Sequence, residues 1–295
     1  MLMLRTLPFI ATEKCFALKG GTAINLFVRD MPRLSVDVDL TYLPIEPREK
    51  SLKYISEALR RISSSIEKTM HGTKIQFGYG AGNKNIAKLF VRSTDAQIKI
   101  EPNQVIRGTI FPSSEYTLSK KAEKLFELSI SVTTISFADL YGGKLCAALD
   151  RQHPRDLFDV HLLMKTEGIT DEIRKAFIVY LASHDRPINE LIDPVQKDVR
   201  QIFDKEFSGM TSFPVRYEDL LDAREKLIAV IKNDLTNAER KFLISIKEMN
   251  PQWQLLGLDG IDKLPSIQWK LLNIRKMSKK KHTDALSLLK SKLGL

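Results

Sequence analysis

Residues 18–40, LKGGTAINLFVRDMPRLSVDVDL, contain the pattern that decides the fold. A short apolar run ends at Gly20-Gly21, which is typical of a strand that closes in a turn. Residues 22–27 have the composition of a short helix, and residues 35–43 alternate between apolar and polar side chains with the period of a strand. The stretch therefore predicts a strand, a glycine turn, a short helix and a second strand in one compact unit.

Two carboxylates share one face of the second predicted strand. Because successive strand residues point to opposite faces, Asp37 and Asp39 lie on one side while Val36, Val38 and Leu40 occupy the other. Two like charges this close repel each other unless a cation or a basic group lies between them. The pair can hold one or two divalent cations, although an Asp-x-Asp pattern on a strand is also often a solvated face.

The glycine turn offers a place for a phosphate group. The turn opens a helix whose first N–H groups are free to bind an anion, and Thr22 adds a hydroxyl. A phosphate site beside a metal site is what nucleotidyl transfer requires, since metals neutralise the triphosphate and align the attacking hydroxyl. Gly-Gly-Thr alone is a weak signal, and its spacing from the Asp pair strengthens it.

The chain changes character near residue 165. Before it, short apolar runs alternate with turn signals, which favours an α+β or α/β unit with a mixed sheet over residues 1–165. After it, apolar residues recur three and four positions apart, so residues 166–295 are predicted to form a mostly α-helical domain. We predict further strands over residues 75–79, 88–92, 96–101 and 129–135, and helices over residues 51–66, 137–149, 171–182, 217–233, 237–249 and 267–293, the last interrupted at 278–283.

Composition excludes several classes of protein. The 295 residues are 43% hydrophobic and 28% charged, which matches an ordinary globular chain of about two domains. No apolar stretch approaches the ~20 residues of a membrane helix, and no signal peptide is predicted. Cys15 and Cys146 are too few for a disulfide framework or a four-ligand zinc site. We therefore expect a cytoplasmic protein with no membrane partner.

Positive charge is concentrated at the end of the chain. The formal net charge is +10, and residues 270–295 contain eight basic residues against Asp284 alone. A concentrated basic end favours a polyanionic partner, because binding to phosphates releases counterions. The alternative is a solvated helix face beside a frayed terminus. Trp253 and Trp269 are interpreted as packing residues of the helical domain, although Trp253 could stack on a base.

The stretch over residues 18–40 resembles the signature of the AbiEii-type nucleotidyltransferase toxins, which include the MenT toxins. In that family a Gly-Gly-Thr or Gly-Gly-Ser turn precedes the pattern Arg-x-Ser-x-Asp-x-Asp-Leu, which here is Arg33-x-Ser35-x-Asp37-x-Asp39-Leu40. Two further blocks strengthen the resemblance, DLYGGKL followed by RDLFD over residues 139–159, and LPSIQWKLLN over residues 264–273. One departure is that only about twenty residues precede the turn, so a helix there must be short or absent.

The resemblance implies a fold and a set of roles. The fold would be α+β, a DNA polymerase β-like nucleotidyltransferase domain followed by the helical domain. Asp37 and Asp39 would bind Mg²⁺, and Lys144 would contact the triphosphate. Asp156 would position the nucleotide or the acceptor, and Glu101 would be a third carboxylate able to act as general base. The nucleotide-binding residues would be Gly20, Gly21, Thr22, Arg33 and Ser35.

Each of these roles has a structural alternative. Lys144 could be a surface lysine of an amphipathic helix. Asp156 and Asp159 could form structural salt bridges with Arg151 and Arg155. Arg33 is expected to orient the Asp pair or to bind phosphate rather than to take part in the chemistry.

The resemblance also implies an activity. The protein would move a nucleoside monophosphate from an NTP to an acceptor such as the 3′ end of tRNA, with Mg²⁺, and so arrest translation. A cognate antitoxin would be its partner, and phage defence or growth arrest its role. Two alternatives stay open. One is transfer to a protein or small-molecule hydroxyl, and the other is an RNA-binding module of the same fold without catalysis.

Overall fold

The computed structural model describes residues 1–80 and 84–295, which form two compact units, Met1–Ser136 and Phe137–Leu295. The described part of the first unit contains the sheet, and the second unit is helical. The α+β fold class predicted from the sequence is thereby confirmed. Compactness does not show which residues act together in function, so the predicted nucleotidyltransferase domain over residues 1–165 stays a prediction.

The first unit is built on a seven-stranded mixed sheet with the order β3-β4-β5-β2-β1-β7-β6. The β1–β7 and β2–β5 pairs are parallel, and the other neighbouring pairs are antiparallel. The seven strands are β1 (Phe16–Lys19), β2 (Asp37–Tyr42), β3 (Lys74–Tyr79), β4 (Ile86–Arg92), β5 (Gln97–Asn103), β6 (Ser114–Thr117) and β7 (Ser131–Thr134).

Helices flank the sheet of the first unit. They are α1 (Leu2–Ala11), α2 (Gly20–Ala23), which continues into a π-helical turn (Ile24–Val28), α3 (Arg48–Thr69) and α4 (Lys120–Phe126). Helix α3 packs against β4 because its apolar residues recur at helical spacing. Ile55, Leu59, Ile62 and Ile66 are all buried along that face. Helix α1 is the short helix that the sequence allowed ahead of the glycine turn.

Strand β2 has the predicted alternation with one correction. Val38 and Leu40 are fully buried, whereas Asp37 and Asp39 are partly exposed on the opposite face. Val36 is 44% exposed, because the strand begins one residue later, at Asp37. The prediction that Val36 belongs to the buried face is therefore wrong.

The second unit contains the helices that the sequence pattern predicts, together with three that it does not, over residues 154–165, 188–192 and 200–206. They are α5 (Phe137–Asp150), α6 (Pro154–Lys165), α7 (Asp171–Ser183), α8 (Ile188–Ile192), α9 (Arg200–Glu206), α10 (Tyr217–Asp234), α11 (Asn237–Lys247), α12 (Pro265–Arg275) and α13 (Lys279–Leu293). Helices α5 and α7 pack closely at Gly142, where an added Cβ would lie 2.7 Å from the Cβ of Ala176. Within the described residues, no helix is long and apolar enough to cross a membrane.

Candidate active site

Three acidic residues of the first unit lie on two neighbouring strands. Asp37 and Asp39 lie on the same face of β2, and the parallel strand β5 runs beside it. The register pairs Asp39 with Glu101 and Asp37 with Lys99. The structure therefore places the predicted third carboxylate directly beside the second aspartate.

Two lysines neutralise this acidic face. The Glu101 carboxylate oxygens lie 2.9 Å from the Nζ of Lys88 and 2.9 Å from the Nζ of Lys99, and Lys99 Nζ is 3.8 Å from Oδ2 of Asp37. Burial acts to raise the pKa of Glu101, but hydrogen bonds from Lys99 and Lys88 hold it below its usual value. A carboxylate with a lowered pKa is a weak base. In this arrangement Glu101 therefore acts as an ion-pair partner of the two lysines rather than as a general base.

These lysines are the site residues that sequence reasoning missed. Lys99 shares a strand face with Glu101 through the period of two, and this was a usable signal. Lys88 lies on β4 and reaches Glu101 only because β4 pairs with β5, which the sequence does not reveal.

The glycine turn lies against the aspartate pair. Gly20 has φ +71°, a left-handed conformation that favours glycine, and a Cβ there would lie 2.6 Å from Oδ2 of Asp39. A Cβ on Gly21 would lie 2.7 Å from Nη2 of Arg33. Gly20 is thus needed for the turn to approach Asp39, whereas a side chain at Gly21 would require the Arg33 guanidinium to move. The sequence prediction that the turn lies beside the Asp pair agrees with this geometry.

The remaining predicted nucleotide-binding residues support the turn and the strand. Thr22 is buried, and its hydroxyl donates to the backbone carbonyl of Asp37 and lies 2.8 Å from Oγ of Ser35. Arg33 is also buried, and its Nη1 donates to the carbonyl of Leu34 at 2.8 Å. These bonds fix the segment that leads into β2, and so they fix the direction of its carboxylates.

The second unit contains a buried ionic cluster formed by Lys144 of α5 and the aspartates of α6. Lys144 Nζ lies 2.8 Å from Oδ1 of Asp156 and 2.9 Å from Oδ2 of Asp159, and all three side chains are at most 6% exposed. Arg151 Nε donates to Asp156 Oδ2 at 2.6 Å. Burial acts to raise the pKa of Asp156, but the charges of Lys144 and Arg151 hold it far below its usual range.

The cluster decides between the sequence alternatives for these residues. Lys144 is not a surface lysine, because it lies between two buried carboxylates. The structural salt bridge expected between Asp156 and Arg151 is present. Any role of Lys144 or Asp156 toward a nucleotide therefore has to be compatible with the pairing between them.

The acidic face of β2 has the donor chemistry for magnesium. Among residues 1–80 and 84–295, no three His, Cys, Asp or Glu side chains converge into a ready-made metal site. Mg²⁺ usually binds through one or two carboxylates, with water and substrate phosphates completing its shell. Asp37 and Asp39 are partly exposed on one strand face beside a tight turn, so they fit a magnesium ion that arrives with a nucleotide.

A mixed sheet with paired carboxylates beside a glycine turn agrees with a nucleotidyltransferase, and the comparisons with known proteins place the chain in that class of enzymes. The family model described as "Nucleotidyl transferase AbiEii toxin, Type IV TA system" matches residues 2–270. The chain therefore belongs to the AbiEii family of nucleotidyltransferase toxins, as its motifs predicted. The family assignment also implies an antitoxin partner.

A solved structure extends the likeness over nearly the whole chain. It is MenT4, a nucleotidyltransferase toxin from Mycobacterium tuberculosis H37Rv, with a TM-score of 0.60 and 15% sequence identity. The match covers 98% of this chain and 91% of that chain. At this identity the likeness shows the fold. No curated protein matches the sequence.

Proposed function

We propose that this nucleotidyltransferase moves a nucleoside monophosphate from an NTP to the 3′ end of tRNA, releases pyrophosphate and thereby arrests translation. The observation that carries the proposal is the close approach of the Gly20 turn to Asp39 on a strand that also presents Asp37. This approach supports the proposal, because a turn with N–H groups able to bind a phosphate lies beside two carboxylates of the kind that hold Mg²⁺. The protein would act in the cytoplasm.

Asp37 and Asp39 are proposed to hold Mg²⁺. When bound, the ion neutralises the triphosphate and aligns the attacking hydroxyl. The backbone N–H groups of Gly20 and Gly21 would bind the phosphates, because they stand at the start of helix α2, where N–H groups have no partner within the helix. Thr22, Arg33 and Ser35 would hold the turn and the strand in this geometry.

Glu101 is proposed as the third carboxylate of the site. Each of its oxygens is paired with a lysine, which makes it a weak base, and it would accept a proton from the attacking hydroxyl more readily if Lys88 or Lys99 moved away. Until then it holds the ammonium group of Lys99 close to Asp37, 3.8 Å from its Oδ2. Lys99 would then also contribute positive charge where the triphosphate arrives.

Lys144 and Asp156 are proposed to act as a pair. Lys144 would bind the triphosphate and stabilise the charge that develops during transfer. To do so it has to exchange one of its two carboxylate partners for a phosphate oxygen. Asp156 would then keep the lysine in place and help to position the nucleotide or the acceptor.

The basic end of the chain is evidence in favour of a long polyanionic acceptor such as tRNA. A basic helical surface binds phosphates along a nucleic acid, whereas a small acceptor needs no such surface. Transfer to a protein or small-molecule hydroxyl, and RNA binding without catalysis, are the alternatives that the experiment distinguishes.

The test uses purified protein, Mg²⁺, total tRNA and each of four labelled NTPs. Wild type is compared with Asp39→Asn and with Glu115→Gln, an exposed carboxylate on strand β6 of the same unit. We expect label on tRNA with wild type and Glu115→Gln, a loss of at least about a hundredfold with Asp39→Asn, and no label in EDTA.

If the label appears on the protein or on another added acceptor instead of tRNA, that molecule is the acceptor and the assignment of tRNA is wrong. Equal transfer by wild type and Asp39→Asn would overturn the assignment of the metal site. RNA binding with no transfer under any condition would leave a binding module.

A further inference from the structure

Helix α12 presents an exposed aromatic side chain about two helical turns ahead of two cations. Trp269 is 44% exposed, and one exposed stripe of the helix continues through Leu272 to Arg275 and Lys276. The sequence interpretation of Trp269 as a packing residue is therefore wrong. Trp253 does pack, with its ring centroid 6.0 Å from that of Phe242.

The cations of this region have no acidic partners among the described residues. Residues 269–283 contain no Asp or Glu, and neither ion pairs nor hydrogen bonds engage the side chains of Arg275, Lys276 or the three lysines 279–281. Lys270 is different. It is buried, and its Nζ donates to the carbonyls of His184 and Arg186 at 2.6 Å and 2.8 Å. The free cations thus form a group of their own on the surface.

Helix α13 is anchored to the second unit by its C-terminal half, so the lysines at its start do not belong to a frayed end. Leu289 and Leu293 are buried. Lys290 lies 2.7 Å from Glu248, and Lys292 pairs with Asp193. Helix α13 therefore contains two kinds of lysine, paired ones near its C-terminus that anchor the helix and unpaired ones at residues 279–281.

The unpaired lysines stand where a helix disfavours positive charge. Residues 279–281 form the first turn of α13, and its N-cap, Ser278, makes no side-chain capping bond. The helix macrodipole favours anions at this end. The same charge acts on a neighbour, because burial and the ammonium of Lys281 lower the pKa of Lys247. An external anion would relieve this repulsion, whereas solvation alone leaves it in place.

We propose that Trp269, Arg275, Lys276 and residues 279–281, here called the basic–aromatic surface, bind RNA, with phosphates against the cations and an unpaired base stacked on Trp269. The inference rests on the proposed function and deepens it, since it names the surface that receives the acceptor. An exposed tryptophan about two helical turns from unpaired cations suits single-stranded nucleic acid, because bases stack on the ring and phosphates bind to positive charge. An acidic protein would use the cations but would leave the ring without a base to stack on.

The first test measures binding of fluorescent total tRNA by anisotropy at several KCl concentrations, with no NTP present. The triple variant Lys279→Gln/Lys280→Gln/Lys281→Gln is compared with Lys120→Gln/Lys121→Gln/Lys124→Gln. The control removes three lysines from helix α4 and causes the same change in net charge. We expect the first triple to lose about tenfold or more in affinity near 0.1 M salt and to lower the salt slope by roughly 2. The control is expected to stay close to wild type.

The second test concerns the tryptophan. Trp269→Ala is expected to lose about five- to a hundredfold in affinity for tRNA, and Trp269→Phe to retain most of it. A blunt RNA duplex of similar length offers no unpaired base, so its affinity should change little. The protein has two tryptophans. In a Trp253→Phe background, tRNA should therefore quench the emission of the remaining Trp269.

Each outcome decides the proposal. Equal losses in both lysine triples would show a general charge effect and overturn it. So would unchanged RNA affinity, in which case an acidic protein partner becomes the better occupant. Binding is measured without NTP and so does not depend on catalysis. If the variants lose affinity for tRNA but the wild-type protein transfers no label, the basic–aromatic surface is supported and the proposed function is rejected. If the variants transfer label to tRNA as fast as wild type, the proposed function is supported and the basic–aromatic surface is rejected.

Discussion

Asp39 and Glu101 are direct neighbours across the parallel strands β2 and β5. Their register brings a carboxylate from a distant part of the chain to the motif that carries the aspartate pair. Glu101 reaches this position together with Lys88 and Lys99, which pair with it. The acidic face is therefore partly neutralised before any metal or nucleotide binds.

The Gly20 turn gives the sharpest test of the candidate active site. Gly20→Ala and Gly72→Ala both place a side chain at a left-handed φ, of +71° and +79°, and each should cost about 1 kcal/mol of folding free energy. Only at Gly20 would the new methyl meet Asp39; nothing lies within 4 Å at Gly72. We expect Gly20→Ala to lower the transfer rate about a hundredfold, because small displacements of catalytic groups are costly. Gly72→Ala should keep the wild-type rate in the same assay.

Lys99 competes with a metal for the same negative charge. Its Nζ lies 2.9 Å from Glu101 and 3.8 Å from Asp37, so Lys99→Met should make the face more negative. A partly exposed ion pair is worth up to about 1 kcal/mol, which corresponds to a Mg²⁺ half-saturation concentration up to about fivefold lower. The measurement is the Mg²⁺ dependence of the transfer rate. Lys74→Met on β3 removes the same charge from an exposed position and serves as control. A higher Mg²⁺ requirement in Lys99→Met would contradict this prediction.

The free energy of unfolding should depend on the charge balance of the buried cluster around Lys144. Lys144→Met leaves Asp156 and Asp159 without their shared ammonium group and should cost about 3–5 kcal/mol of unfolding free energy. Adding Asp159→Asn removes one of the two carboxylates and should recover part of that loss. Urea unfolding of the single and double variants measures both effects. If the double variant is no more stable than Lys144→Met, charge balance does not hold the cluster together.

The stability of the protein should fall in acid partly through Asp156. Its folded-state pKa lies far below the unfolded value of about 3.9, although burial acts in the opposite direction, because Lys144 and Arg151 favour the carboxylate. Its contribution is therefore present above about pH 4 and is lost as the pH falls from there toward the lowered folded-state pKa. Urea unfolding between pH 7 and pH 2.5 should show a smaller acid loss in Asp156→Asn than in wild type. Glu115→Gln should follow wild type, and a parallel fall in all three proteins would reject the assignment.

Much of the local structure could be predicted from the sequence, because hydrophobic periodicity is a local property. The alternation around Asp37 and Asp39 gave strand β2, and the helical spacing of residues 51–66 gave α3. Strand β6 and helix α4 were missed, because each is short and weakly periodic. The N-caps are Thr170 for α7 and Thr236 for α11, and in each case the side-chain oxygen accepts a backbone hydrogen bond.

The sequence by itself determined that a glycine turn stands ahead of an aspartate pair on a strand, and this was enough to indicate the family. Only the tertiary structure decided what those groups contact. Strand register brought Glu101 and its lysines to Asp39, and the packing of α5 with α6 buried Lys144 between two aspartates. The reason is physical. Periodicity records which face of an element is buried, whereas charge pairing depends on which distant elements become neighbours when the core forms.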